Sequence, residues 1–264
     1  MARILCLETA TEMCSVALLD DEKLLGIRES SARNVHSVML TTFIDELIKS
    51  SGHHFNDLDA VAVSMGPGSY TGLRIGVATA KGLCYALDKP LIAVSTLQAM
   101  AAGINDKLRI TNDELRNDRR ISNFQFPISN FQFPISNFNI PTLICPLIDA
   151  RRMEVYSGLF DMENREVREI RAEIIDEYSF QEFLADNRVV FGGEGAEKCK
   201  SILGNHPNAV FIDGFQATSG NMAKLAAEKY KQQHFENLAY FEPFYLKDFV
   251  AGLPRVKGLN QIAK

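Results

Sequence analysis

The spacing of apolar residues changes period repeatedly along the chain. ARILCLET reads as a buried strand, and CSVALLD and EKLLGIRES follow with the turn residues Asp20 and Asp21 between them, the pattern of a hairpin. From His36, apolar residues recur at Val38, Met39, Leu40, Phe43, Ile44, Leu47 and Ile48, a helical spacing with one broad apolar face. LDAVAVSM is apolar almost throughout, as in a strand covered on both faces. A glycine-rich loop, a helix over 71–87, the short strand PLIAVS and a helix from about Thr96 complete this half.

The same order then returns. Leu143 to Asp161 lies on Ile4 to Asp20 with Glu8 opposite Asp149, Leu18 opposite Leu159 and Asp20 opposite Asp161. REVREI follows as a polar strand. Then come a helix over 179–186, the strand RVVFGG, a helix over 195–203, the strand AVFID and a helix over 217–232. Each half reads strand, strand, strand, helix, strand, helix, strand, helix. A repeat of this length predicts two similar α/β lobes with a cleft between them. The expected division is a lobe over 1–104, a connection over 117–141 and a second lobe over 142–264, whose last helix packs back on the first.

The connection fits neither half. It holds ISNFQFP twice and ISNFNIP once, starting at Ile121, Ile128 and Ile135. A proline in every unit breaks any helix, so the seven-residue period is not a coiled coil. An extended arm presenting Phe124, Phe126, Phe131, Phe133 and Phe138 to a partner is one reading. An expanded linker is the other, and base rates for long connections favour it.

Composition narrows the class. The chain has 264 residues, 46% of them hydrophobic, and a net charge of −5. That is enough for a sizeable core, and its dispersed charge argues against nonspecific binding to phosphate backbones. The five cysteines, with no CxxC, read as buried free thiols in a reducing compartment. MARILCLETA is too short and polar for a signal peptide, and no apolar run nears the roughly 20 residues of a membrane span. The expected location is the cytoplasm.

The glycine-rich loop is SMGPGSYTGLRIG, Ser64 to Gly76. A Walker loop needs Lys after its last glycine, and a dinucleotide fingerprint needs glycine where Thr71 stands. Both spacings fail. Two readings remain from the residues: a tight turn whose Gly72 and Gly76 let a helix approach closely, and an anion site at the helix amides near Arg74.

GPGSYTGLRIGVATAKGL, LETATEMCSVAL, ARNVHSVMLTTFIDEL, DARRMEVY and EPFYLKD together resemble the TsaB (YeaZ) family of the tRNA threonylcarbamoyladenosine pathway. The likeness covers nearly the whole chain apart from the ISNFQFP segment. It implies the two-lobed duplicated α/β fold of actin, Hsp70 and the sugar kinases (ASKHA, RNase H-like). It also implies a non-catalytic subunit, active in threonylcarbamoyl transfer to adenosine 37 of tRNAs reading codons that begin with A. The implied partners are a TsaD-like catalytic subunit, a TsaE-like ATPase, tRNA through the complex, and a second copy when the chain is alone. ATP or ADP is expected only at the junction with the partner subunit. Carried over by position, the interface is the helix from His36 and the helix after Tyr70. Its candidates are Asn34, His36, Met39, Leu40, Phe43, Leu47, Tyr70, Gly72, Arg74 and Gly76. The resemblance thus favours packing of Gly72 and Gly76 across a subunit interface, with Phe43→Asp expected to abolish pairing without unfolding the chain.

The residues speak against the competing classes. A kinase or ATPase of this fold needs an acid followed by glycine in each lobe. Here Glu8 precedes Thr9 and Ala10, and Asp149 precedes Ala150 and Arg151. Gly192, Gly193 and Gly195 resemble an adenosine-side turn, although a plain strand-to-helix turn is favoured. The five histidines include no pair at i, i+4, and there is no HExxH or GxSxG, so neither a metal site nor a peptidase is expected.

Overall fold

A computed structural model describes residues 1–32, 36–117 and 140–247, with only the backbone of 110–117. Asn34, the ISNFQFP units and the last residues lie outside the described part.

The first lobe is built from β1 (Arg3–Glu8), β2 (Cys14–Asp20), β3 (Lys23–Ser30), α1 (His36–Ser50), β4 (Ala60–Gly66), α2 (Tyr70–Leu87) and β5 (Leu91–Ser95), followed by α3 (Thr96–Asn117). The second repeats the series with β6 (Thr142–Asp149), β7 (Glu154–Phe160), β8 (Glu166–Ile174), α4 (Gln181–Leu184), β9 (Arg188–Gly192), α5 (Ala196–Leu203), β10 (Ala209–Ile212) and α6 (Ala223–Lys231). Strand orders are β3-β2-β1-β4-β5 and β8-β7-β6-β9-β10, the same path twice. In each, the first strand pairs antiparallel with the second and parallel with the fourth; Cys6 faces Ala17 and Ala62, and Ile144 faces Phe160 and Val190. This is the duplicated two-lobed α/β fold of the actin, Hsp70 and sugar-kinase group.

The chain closes each lobe with the other's helix. From α3, Leu97, Met100, Ala101, Ile104 and Leu108 pack with Ile144, Ile148, Phe160 and Val190 of the second sheet. From the end of the chain, Met222 and Ala226 pack with Ile4, Cys6, Ala17, Ala62 and Ile92 of the first. The outer face of the first sheet is covered by α1 and α2, whose Leu40, Phe43, Ile44, Leu47 and Val77 join Leu5, Leu7, Val16 and Val63. Burying each such side chain contributes about 1.5–3 kcal/mol. All five cysteines are free and buried in these layers.

After α6 a strap crosses back over the first lobe. Glu236 bridges Leu91, Lys81 donates to the carbonyls of Ala239 and Phe241, and the Phe244 amide donates to the Met65 carbonyl at 2.7 Å. The strap then reaches the second lobe, where Lys247 pairs with Glu154. Among the described residues no helix is long and apolar enough to cross a membrane.

Candidate functional site

Parallel strands place their carboxyl ends, and so any site of this fold, at one edge of each sheet. At that edge of the first lobe, the Ser64–Gly76 loop is filled from within. The Ser69 amide donates to the Ala10 carbonyl at 2.6 Å, and the Ser69 hydroxyl caps the Gly72 amide at 3.3 Å. A Cβ on Gly68 would overlap Ala10, one on Gly72 the Thr9 carbonyl oxygen, and one on Gly76 the Thr9 hydroxyl. Thr9 closes the contact by donating to the Gly72 carbonyl at 2.8 Å. The three glycines therefore admit the turn after β1, and the space an anion would need at this helix end holds the chain itself. His36 ties the start of α1 to the same turn through the Thr11 carbonyl, at 3.0 Å.

This corrects the interface expected at Gly72 and Gly76. Both are buried against Thr9 and meet no surface. Leu40, Phe43 and Leu47 are likewise core residues, 1%, 7% and 1% exposed. An aspartate at 43 would be driven into the core, so Phe43→Asp tests folding and not pairing. Met39 is half-buried against the same core. Of the other candidates, Arg74 is exposed and donates to the Tyr70 hydroxyl at 2.7 Å, while the Tyr70 ring rests on Tyr245 of the strap, centroids 4.9 Å apart.

The outward faces of α1 and α2 carry a different set of residues. α1 exposes Ser37, Val38, Thr41 and Thr42, and α2 exposes Thr71, Arg74, Ala78, Gly82 and Tyr85. Val38 is 67% and Tyr85 83% exposed, and a Cβ on Gly82 meets nothing within 4 Å. The spacing 71, 74, 78, 82, 85 is itself helical. Its amphipathic signal in the sequence is weak, because it is made of small and mixed residues rather than large apolar ones.

The second lobe's turn is closed too. Lys198 of α5 donates to the Asp149 carboxylate and to the carbonyls of Arg152 and Glu154, all at 2.7 Å. The Asp149 side chain also accepts the Arg151 amide at 2.6 Å. Arg151 and Arg152 sit at φ 74° and 49°, a left-handed turn that points bulk where a phosphate loop would have glycine. Gly193, at φ 112°, leaves no room for a Cβ between the Leu147 carbonyl and Met100, so the Gly192–Gly195 segment is a packed strand-to-helix turn.

Between the two turns lies an acidic seam. Glu8 ends β1 and is 1% exposed; its Oε1 accepts the Ala10 amide at 2.6 Å. Burial pushes its carboxyl up to about 7, with the Glu194 charge adding to the rise. Glu194, from the second lobe, is also raised, first by burial, against hydrogen bonding from the Thr11 hydroxyl and the Glu12 amide. Among the described residues no three His, Cys, Asp or Glu side chains converge as a metal set.

Residues 18–110 match the model described as TsaD, tRNA N6-adenosine threonylcarbamoyltransferase. The tRNA threonylcarbamoyladenosine biosynthesis protein TsaB of Haemophilus influenzae is 38% identical over 123 residues, 47% of this chain and 52% of that protein. The TsaB of Bacillus subtilis is 31% identical over 161 residues, 61% of this chain and 56% of that one. Over that length the chain is similar to the TsaB (YeaZ) family. A solved Pseudomonas aeruginosa structure described as similar to the peptidase YeaZ superposes with a TM-score of 0.72 at 22% identity, over 94% of this chain and 100% of that one. That likeness speaks for the fold. The aligned part spans about half the length of the TsaB relatives it matches. Residues 18–110, the part matched by the TsaD model, include α1, α2 and the β4 strand between them.

Proposed function

We propose that this chain is a non-catalytic subunit of a tRNA threonylcarbamoyladenosine-forming assembly. It pairs with a TsaD-like catalytic subunit and lets a TsaE-like ATPase act on the pair, with tRNA reached through the complex. One observation carries the reading: both positions where a kinase of this fold would hold phosphates are filled by the chain's own atoms, Thr9 and Ala10 in one lobe and Lys198 in the other. A fold with its phosphate turns closed retains its surfaces. The names of its relatives, tRNA threonylcarbamoyladenosine biosynthesis proteins, support the pathway in this reading.

The pairing surface is the outward face of α1 and α2. Val38, Thr41, Thr42, Ala78 and Gly82 are short, so a helix pair of like shape approaches closely, and Tyr85 adds an aromatic anchor at the edge. A TsaD-like subunit matches the same family model as this region. The like-shaped partner is therefore a heterologous subunit, or a second copy when the chain is alone. The experiment is light scattering on a sizing column, first with the chain alone and then with the TsaD-like protein of the same cell. A homodimer that exchanges into a one-to-one heterodimer is expected. Ala78→Arg and Gly82→Arg, at open positions, are expected to abolish both species while leaving the circular dichroism of the folded chain intact and the thermal midpoint no lower. A chain that ignores the TsaD-like protein, or variants that pair as well as wild type, would remove the reading.

A further inference from the structure

The strap after α6 changes character along its length. As far as Phe241 it belongs to the first lobe. The Glu236 amide donates to the Leu91 carbonyl at 2.9 Å, and Lys81 donates to the Ala239 and Phe241 carbonyls at 3.3 and 3.1 Å. The Phe241 side chain joins the core there, with Leu238 packed against it. Beyond Phe241 the chain surfaces, and Phe244, Tyr245 and Lys247 are exposed. The Phe244 amide donates to the Met65 carbonyl at 2.7 Å, and the Tyr245 ring rests on Tyr70 at 4.9 Å. Gly66, at φ 109°, admits the strap here: a Cβ on it would come within 2.6 Å of the Phe244 carbonyl oxygen. Lys247 then leaves the first lobe. Its ammonium pairs with Glu154 and lies 5.7 Å from the centre of the Tyr156 ring, both on β7 of the second lobe.

The two places joined this way are the loop and the turn already described. Met65 to Tyr70 leads from β4 into α2, and Glu154 closes the turn that begins at Asp149 and that Lys198 ties to α5. The two ends of the strap are held by different forces. Its root is fixed by buried apolar side chains and main-chain bonds, which salt does not screen. Its far end is a charge pair whose side chains are 37% and 28% exposed, which salt does screen. Two residues lie between Phe244 and Lys247, a tether too short to absorb a change in lobe spacing. A widening between Met65 and Glu154 therefore breaks one attachment or the other.

We propose that residues 244–247 are an electrostatic latch between the lobes. Closed, Lys247 on Glu154 and Tyr156 holds the tip of the strap down on Tyr70. Open, the tip lifts and uncovers the Met65 carbonyl and the Tyr70 ring. The change reaches the outward face of α2, because the Tyr70 hydroxyl accepts from Arg74 at 2.7 Å and its ring lies 5.2 Å from that guanidinium. Lobe spacing is thereby linked to the position of Arg74. The latch uses contacts within this chain alone, so it stands apart from the subunit reading.

Hydrogen exchange read by mass spectrometry on the full chain tests it, with peptides covering 235–241 for the root and 242–246 for the tip. Lys247→Ala and Glu154→Gln are each expected to speed exchange at the tip about two- to fivefold, the range that a partly exposed charge pair commands, and to leave the root unchanged. Raising NaCl from about 50 to about 500 mM is expected to do the same in the wild type and nothing further in Lys247→Ala. The reversed pair, Lys247→Glu with Glu154→Lys, is expected to restore protection. Neither side chain is buried, so the variants fold, and circular dichroism checks this. A tip that ignores both single variants and salt overturns the latch and leaves the pair as a surface contact. Equal loss of protection at the root also overturns it, since the strap is then one rigid unit. So does a reversed pair as unprotected as the single variants, which would assign the tip's protection to something other than charge.

Discussion

At the residue scale Glu8 shows how one side chain reports its surroundings. It ends the first strand as an acid where a kinase would also carry one, but the residues after it, Thr9 and Ala10, occupy the space a phosphate would take. Burial then works against its charge, and its carboxyl is pushed up from 4.5 to about 7. The sign of the linkage follows. Between these values the folded chain holds a proton that the unfolded chain has released, so stability falls as pH rises and levels off above about 7. The whole effect is on the order of 3 kcal/mol, at about 1.4 kcal/mol per unit. Urea midpoints taken at pH 5 and pH 8 in EDTA should therefore drop for the wild type. Glu8→Gln should lose most of that drop. An equal drop in the variant would assign the pH dependence to other groups. The acid itself could be read from the sequence. Its environment could not, because Ser64, Ala10 and Glu194 reach it from three separate parts of the chain.

At the scale of elements, periodicity revealed the order of strands and helices and left their surroundings open. The helix expected over 179–186 shrinks to Gln181–Leu184, because Asp176 takes the Tyr178 amide and the Ser179 hydroxyl in a turn that competes with the first helical turn. The helix expected from 217 starts later for a similar reason. Asn221 accepts from Thr218 and holds a 3-10 turn over Ser219–Met222 before α6. On α2 the two faces give opposite predictions for the same change. Gly72→Ala overlaps the Thr9 carbonyl and is expected to cost about 1–3 kcal/mol of folding stability. Gly82→Ala, in open space on the same helix, is expected to add about 0.5–1 kcal/mol by helix propensity. Urea unfolding of the two variants checks both, and equal effects would mean that the two glycines share one environment. Small residues every four positions signalled close packing correctly. They did not say whether the approaching backbone came from another subunit or from the turn eight residues into the chain.

At the scale of the whole molecule the lobes are not separable units. The first sheet is covered on one face by α6, and the second by α3, so each lobe lacks part of its core without the other. Ser15 and Ser219, 204 residues apart, share a buried hydrogen bond of 2.7 Å at this junction. A fragment of residues 1–109 keeps every strand of the first sheet but exposes Ile4, Cys6, Ala62 and Ile92. It is expected to bind a hydrophobic dye and to show no cooperative melt, while the full chain melts in one transition. A fragment that melts cooperatively would mean that the α1 and α2 side alone is a sufficient core.

The sequence by itself determined the repeated order of elements, the two-lobed class, the family likeness and the lack of acid-glycine turns, because each is written in local spacing or in a short motif. Only the tertiary structure decided which surfaces are free. Residues 9 and 72, 8 and 194, and 91 and 236 meet through the path of the chain, and hydrophobic periodicity shows which face of an element is apolar without showing what covers it. That is why the glycines and apolar residues first assigned to an interface lie inside the first lobe, and the exposed face of α1 and α2 carries smaller residues with a weaker pattern.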